Sequence, residues 1–289
     1  MPSQAVLSRI GLSGIVTPTQ STVEDCELYA RSGVGAIGVW LHKLERGSFE
    51  EFFIPAGRID PQVLSQSVEA VRKAGLIVSH VILTGFFTEP ELEDRIAHTH
   101  HAMEVAEALG ARGLVVAPGR RDGRSYEETR DYCARALARV FEGAPNDVKL
   151  ALEPIVPWQS DYLNTLGEAI ELMELVDHPN LGVFPDTFHL WRTGTMLEDI
   201  ERAGDRILGV HLNDARPGED HNCLPGDGDL PLVEIVRAIE ATGYTGTYDN
   251  EFMYPGTLVS QDPEHFSPEV VVRRCVDAMT GVLEVALAG

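Results

Sequence analysis

The chain has 289 residues, 44% of them hydrophobic, and a formal net charge of −22. That length admits two ordinary domains or one large α/β barrel. Such an acidic balance repels a phosphate backbone, so nucleic acid is a poor default partner, and no run approaches the roughly 18 apolar residues that a membrane helix needs.

Eight strand-like runs follow one another in chain order: Ile10–Thr17, Gly35–Trp40, Ile77–Leu83, Gly113–Pro118, Val148–Pro154, Leu181–Asp186, Ile207–Asp214 and Thr245–Phe252. They are short, rich in Val, Ile, Leu and Gly, and several are nearly continuous apolar runs, as strands buried on both faces are. Helical patterns lie between them: Pro61–Ala74, Glu89–Leu109, Tyr126–Val140, Leu166–Val176, Met196–Ala203, Leu230–Ala241 and Pro268–Ala288. Asp60 and Pro61 are an N-cap and a first helical position, and Gly75 and Gly110 stand where helices stop. With no composition break and no Pro/Ser-rich linker, this alternation predicts a single (β/α)8 TIM barrel spanning 1–289. Cys26, Cys133, Cys223 and Cys275 are scattered without a C-x-x-C pair, which argues for reduced thiols. The start, MPSQAVLSRIGLSG, lacks a basic segment followed by a long apolar core, so a soluble, cytoplasmic protein with no membrane association is expected.

Four of the strand-like runs in the second half carry a metal-type side chain at or near their C-terminal ends: Glu153 in LALEP, Asp186 in FPD, His211 in GVHLND and Glu251 in YDNEF. A barrel places its active site at that end of its strands. An unpaired carboxylate after an apolar run would cost several kcal/mol to bury in a helix–sheet core. Taken singly, each residue has an ordinary explanation, such as an N-cap for Asp186 or a satisfied core histidine for His211. Together, three carboxylates and one imidazole suit one divalent cation, Mn²⁺ first, with Mg²⁺, Co²⁺ or Zn²⁺ also accommodated. Strand alternation puts His211 and Asn213 on one face, with Val210 and Leu212 on the other. His189, three residues after Asp186, can turn toward the same pocket and meet a substrate hydroxyl or phosphate, or a second metal. Glu153 and Glu251 make a pair able to take a proton from one face of a carbon and return it to the other. A cation chelating a carbonyl and its neighbouring hydroxyl lowers the cost of the enediolate between those steps.

The segments L-A-L-E-P, F-P-D-T-F-H-L-W, V-H-L-N-D-A-R, P-G-D-G-D and Y-T-G-T-Y-D-N-E resemble the sugar isomerase/epimerase superfamily with the xylose isomerase-like barrel. They cover roughly the last half of the chain, in the superfamily's order; the first half matches only as generic barrel. The resemblance places Glu153, Asp186, His211 and Glu251 as metal ligands, Glu153 and Glu251 as acid/base carboxylates, and His189 as a substrate contact. Ketose 3-epimerases of this kind carry an arginine shortly after the strand-seven histidine; Arg216 is available, although Pro217 follows it and the loop differs. The implied activity is isomerisation or epimerisation of a sugar or polyol ketone by a homo-oligomer, a dimer or tetramer. A dehydratase or lyase acting on an inosose is the alternative, and a non-catalytic metal- or sugar-binding barrel the third.

The superfamily also contains endonucleases acting at abasic sites, and H-L-N-D-A-R followed by Glu219 and His221 resembles those as well. Ala117 stands where such a nuclease would carry a histidine, and the net charge opposes DNA. Arg120, Arg121 and Arg124, after the fourth strand, offer an anion clamp or a solvated loop. Trp40, His42, His80 and Trp158 sit near strand ends, where they can line the pocket or simply pack. His98, His100 and His101 read as surface or helix-packing residues.

Overall fold

A computed structural model of the chain describes residues 3–44, 59–82, 92–117, 119–252 and 267–288. Its strands are β1 (Ile10–Ser13), β2 (Ala36–Trp40), β3 (Ile77–Ile82), β4 (Leu114–Val116), β5 (Leu150–Leu152), β6 (Leu181–Val183), β7 (Val210–His211) and β8 (Tyr248–Asn250). They form one eight-stranded sheet in the order β6-β5-β4-β3-β2-β1-β8-β7, every pairing between neighbours parallel. Parallel bridges Val183–Ile207 and Asp186–His211 join its two edges, β6 and β7. The result is the (β/α)8 TIM barrel expected from the alternation.

The helices are α1 (Gln4–Leu7), α2 (Thr22–Ser32), α3 (Pro61–Ala74), α4 (Leu92–Leu109), α5 (Tyr126–Glu142), α6 (Leu166–Val176), α7 (Thr187–Leu190), α8 (Met196–Ala203), α9 (Leu232–Ala241) and α10 (Pro268–Ala286). Asp60 caps α3 as predicted, accepting from the backbone N–H groups of Gln62 and Val63, and Gly75 ends it with φ +68°. Helix α2 was not among the expected elements, although its start is written in S-T-V-E. The Ser21 hydroxyl accepts from Glu24 N, and the Glu24 carboxylate accepts from Ser21 N, a reciprocal cap repeated by Ser125/Glu128 on α5 and Thr165/Glu168 on α6.

The strands are shorter than the apolar runs that announced them. The expected Ile10–Thr17 divides into β1 and a 3-10 turn, Gly14–Val16, and Thr245–Phe252 contracts to β8. At these ends, side chains and helices take over partners that a longer ladder would have used. The Ser13 carbonyl accepts from the buried Tyr29 hydroxyl at 3.0 Å, and Tyr244 donates to Thr247 O at 2.6 Å. Leu83, Pro118 and the expected helix start at 89–91 lie outside the described residues.

Two packed layers hold the barrel. Outward-facing strand residues such as Val78, Leu114, Leu150, Leu181, Val210 and Leu212 join the helices in one continuous core. Each such side chain contributes about 1.5–3 kcal/mol when taken fully out of water. A second, smaller cluster contains Ile15, Trp40, Ile82, Val115, Ala151 and Phe184. Alternation along the strands turns this set to the other face, toward the barrel interior, with His211 and its neighbours.

Candidate metal and active site

The four residues converge. Glu153, Asp186, His211 and Glu251 each present a ligand atom, all within 4.8 Å of one another, and all four are buried. Glu153 follows β5 directly, its N–H donating to Val116 O at 3.1 Å, so the side chain is fixed one step beyond the ladder. Asp186 opens α7 and accepts from Phe188 N at 2.7 Å through Oδ1, while Oδ2 takes a 3.0 Å bond from Asn213 Nδ2. His211 ends β7 with Nδ1 at 2.7 Å from Glu153 Oε1 and 3.2 Å from Glu251 Oε2. Glu251 follows β8; its N–H donates to Asn213 Oδ1 at 3.0 Å, and Ser13 donates to its Oε1 at 3.3 Å.

Asn213 is the residue that sequence reading underrated. One amide group holds Asp186 by its nitrogen and the Glu251 backbone by its oxygen, which also accepts from Asn250 Nδ2 at 3.1 Å. The H-x-N spacing put it on the ligand face, yet nothing in the spacing says what an amide there must hold. Ser13, Ser79 and Asp249 were missed altogether.

Crowding acidic groups out of water creates strong electrostatics. Burial opposes charge on His211, but Glu251, Glu153 and Asp186 overcome it and lift the imidazole pKa to about 10. Burial holds Glu251 well above the usual carboxylate range, reinforced by Glu153 and Asp186 and opposed by His211. Burial likewise raises Asp186, against the attraction of His189 and His211. Three buried carboxylates facing one imidazole leave an excess of negative charge, which is the condition a divalent cation relieves. The donor set, one nitrogen and three carboxylates, fits such an ion. Among the described residues, this is the one cluster of its kind.

The other predicted site residues lie around it in different ways. His189 reaches the centre, with Nε2 at 3.8 Å from Asp186 Oδ2, and its buried Nδ1 has no hydrogen-bond partner among the described residues. Trp158 is 47% exposed, with the Arg192 guanidinium 4.6 Å over its ring and Phe188 edge-on at 6.3 Å. Arg216 turns along its own loop, Nε donating to Asp227 O at 2.8 Å. The three arginines after β4 are tied locally: Arg121 to Asp161, Arg120 to Gln159 O, and Arg124 to Arg121 O and the Tyr132 ring. His80 does not line the pocket; it is fully buried against His211 and Phe184. His221 and Glu219 pair with each other at 3.4 Å, outside the four-residue centre.

The family model for the xylose isomerase-like TIM barrel matches residues 26–269. The chain belongs to that family. Within the xylose isomerase-like barrels, it is 30% identical over 162 residues to an inosose isomerase of Halalkalibacterium halodurans, covering 53% of this chain and 57% of that protein. It is 34% identical over 130 residues to a D-psicose 3-epimerase of Enterocloster bolteae, covering 44% of this chain and 41% of that one. The chain thus spans about half the length of the curated relatives it matches. A crystal structure of a protein from Sinorhizobium meliloti superimposes with a TM-score of 0.80 at 24% identity, covering 95% of this chain and 98% of the other. The IOLI protein, solved with a zinc atom, superimposes at 0.77 with 19% identity, covering 96% and 98%. These likenesses establish the barrel. Among the described residues, no helix is long and apolar enough to cross a membrane.

Proposed function

We propose that this protein is a divalent-metal-dependent isomerase or epimerase of a sugar or sugar-like hydroxy-ketone. The observation that carries the reading is the buried convergence of Glu153, Asp186, His211 and Glu251 within 4.8 Å at the strand ends of a xylose isomerase-like barrel. The names of the relatives, inosose isomerase and D-psicose 3-epimerase, describe the same chemistry on small polyol ketones. Manganese is the first choice for the ion.

The four side chains would hold the ion, which would supply Lewis-acid polarisation of the substrate ketone and its neighbouring hydroxyl. One of the two glutamates takes the proton from the carbon beside the carbonyl, and the C–H electron pair becomes part of an enediolate. The other glutamate returns a proton, to the opposite face for epimerisation or to the neighbouring carbon for isomerisation. Burial raises the Glu251 carboxyl, the direction that suits a group that must carry a proton near neutral pH. His189, whose Nε2 faces Asp186 and whose Nδ1 has no hydrogen-bond partner among the described residues, is assigned to a substrate hydroxyl, and Arg216 and Trp158 to the substrate rim.

The test is incubation of Mn²⁺-loaded protein with 2-ketoses and inososes in D₂O. Deuterium on the carbon next to the ketone, in a product of unchanged skeleton, supports the reading. Full activity in either Glu153→Gln or Glu251→Gln would sink the two-carboxylate mechanism. Loss of water from the product would move the reaction to the dehydratase.

A further inference from the structure

The metal reading leaves unexplained a buried polar chain that runs away from the site, through the opposite side of the barrel. His211 Nδ1 faces the carboxylates, and Nε2 points the other way, 3.2 Å from Nε2 of His80 on β3. His80 Nδ1 lies 3.0 Å from the hydroxyl of its neighbour Ser79, and Ser79 donates to Asp249 Oδ1 at 2.7 Å. Thr247 donates to the remaining Asp249 oxygen at 2.9 Å. His80, Ser79 and Asp249 are all buried. Two glycines make room for them: a Cβ on Gly11 of β1 would collide with the Asp249 carboxylate, and one on Gly38 of β2 with the His80 ring.

The chain has a direction, and donor–acceptor chemistry sets it. Ser79 has one hydroxyl hydrogen, and its other neighbours, Asp249 Oδ1 and the Ile37 carbonyl at 3.1 Å, are both acceptors. That hydrogen is therefore committed, and the Ser79 oxygen is left to accept from His80 Nδ1–H. A neutral imidazole that donates through Nδ1 accepts through Nε2. His211 must then carry its hydrogen on Nε2 and donate it to His80. Nδ1, which faces Glu153 and Glu251, is then the atom whose proton a bound metal would displace.

We propose that His80 is a positioning residue, which through Ser79 and Asp249 fixes the tautomer and orientation of His211 so that Nδ1 is the metal-binding atom. The inference rests on the metal reading above and extends it to the first half of the barrel, which supplies none of the four ligand residues. Outer partners of this kind typically change metal affinity by about 10–100-fold when removed.

The experiment is titration of metal-stripped protein with Mn²⁺ by calorimetry, in wild type, His80→Phe, His80→Gln and Ser79→Ala. His80→Phe keeps a ring but offers no acceptor, and its dissociation constant should rise by about 10–100-fold. His80→Gln restores an acceptor and should recover most of the affinity, which a loss of packing alone would not explain. Should His80→Phe not fold, Ser79→Ala carries the test, because freeing His80 to reverse its donor must also weaken binding. In ¹⁵N-histidine spectra of the Zn²⁺-loaded wild type, His211 should show a protonated Nε2 and a metal-bound Nδ1. Wild-type affinity in both His80→Phe and Ser79→Ala, or a metal-bound Nε2, overturns the relay alone. No binding by the wild type overturns the metal reading and the relay with it.

Discussion

The two halves of the barrel do different work at the same centre. From β5 to β8, each strand end delivers one charged or ionisable side chain, Glu153, Asp186, His211 or Glu251, supported from the same half by Asn213 and, on β8, by Asp249. From β1 to β3, the strands contribute space and orientation: missing side chains at Gly11 and Gly38, hydroxyls at Ser13 and Ser79, and an imidazole at His80. The floor shared between them is apolar, with Phe184 edge-on to both His80 and His211 at 4.9 and 4.6 Å. A site of concentrated charge is thus built from donors on one side and from held-open volume on the other. Damage to the two sides should therefore differ in kind.

The largest effect is expected on the donor side. Glu153→Gln and Glu251→Gln should each lower turnover by about 10²–10⁴-fold, the range for removing a general acid or base. Both keep the volume of the side chain, so circular dichroism should be that of the wild type. Elemental mass spectrometry should show about one divalent metal ion per chain in the wild type and none in His211→Ala. If instead metal content survives in His211→Ala, the donor side has been misassigned.

That side was also the legible one. Glu153, Asp186, His211 and Glu251 stand out because a charged residue at the end of an apolar run contradicts simple burial, and such a contradiction recurs at the end of each of four successive strand-like runs. The barrel was legible for a related reason: doubly buried strands read as apolar runs between capped helices. What the sequence hid was the supporting half. Gly11 and Gly38 look like any small residue in a strand, and their meaning is the Asp249 and His80 side chains that lie many residues away in the chain. Helix α2 was hidden for a different reason, since its buried positions include Thr22, Asp25 and Cys26 and the apolar stripe is weak. Its Ser21–Glu24 cap was the available signal. The anion clamp suggested by Arg120, Arg121 and Arg124 dissolved because local carbonyls and Asp161 had already claimed those side chains.

On the supporting side, the largest loss should be of stability rather than turnover. Lys43 and Asp25 form a buried pair at 2.6 Å, with side chains 4% and 1% exposed, and Lys43 also donates to Thr17 O at 2.9 Å. Lys43→Met leaves the Asp25 charge without its cation, an arrangement that typically costs about 3–5 kcal/mol. Urea unfolding should register that loss, and adding Asp25→Leu should recover most of it. A single variant as stable as the wild type would mean that Asp25 is already neutral in the native protein.

Gly38→Ala should fall between the two kinds of damage. The new methyl meets His80 without removing any hydrogen-bonding atom, so the ring must shift and take its hold on His211 with it. Mn²⁺ affinity should drop by about tenfold, the lower end of the range for outer-partner changes. A matching change at Gly75, where the structure offers open space but φ is +68°, should cost stability and leave Mn²⁺ affinity alone. Equal effects of the two variants on metal binding would erase the distinction between space kept for the site and glycine kept for a helix end.

The smallest effect, and the one most specific to the first half, is a pH dependence. Burial, helped by the charge of Lys43, lowers the His42 pKa from 6.5 to about 4. The unfolded chain then binds a proton that the folded chain refuses between those two values, so this histidine makes stability fall as pH falls from 6.5 toward 4. Asp25 acts in the opposite sense. Burial raises its pKa to about 6, against the attraction of Lys43, so the folded state takes up the proton first and acidification through 6 relieves a penalty. The two groups flank the same lysine and offset each other across nearly the same window. His42→Gln removes only the first of them. Relative to wild type, it should therefore gain about 1 kcal/mol between pH 7 and pH 5, allowing for solvent screening of a half-buried ring. The reading is the difference in urea midpoint at the two pH values. A constant difference would mean that His42 binds its proton equally well in the folded and the unfolded chain, so that burial of the ring carries no pH dependence.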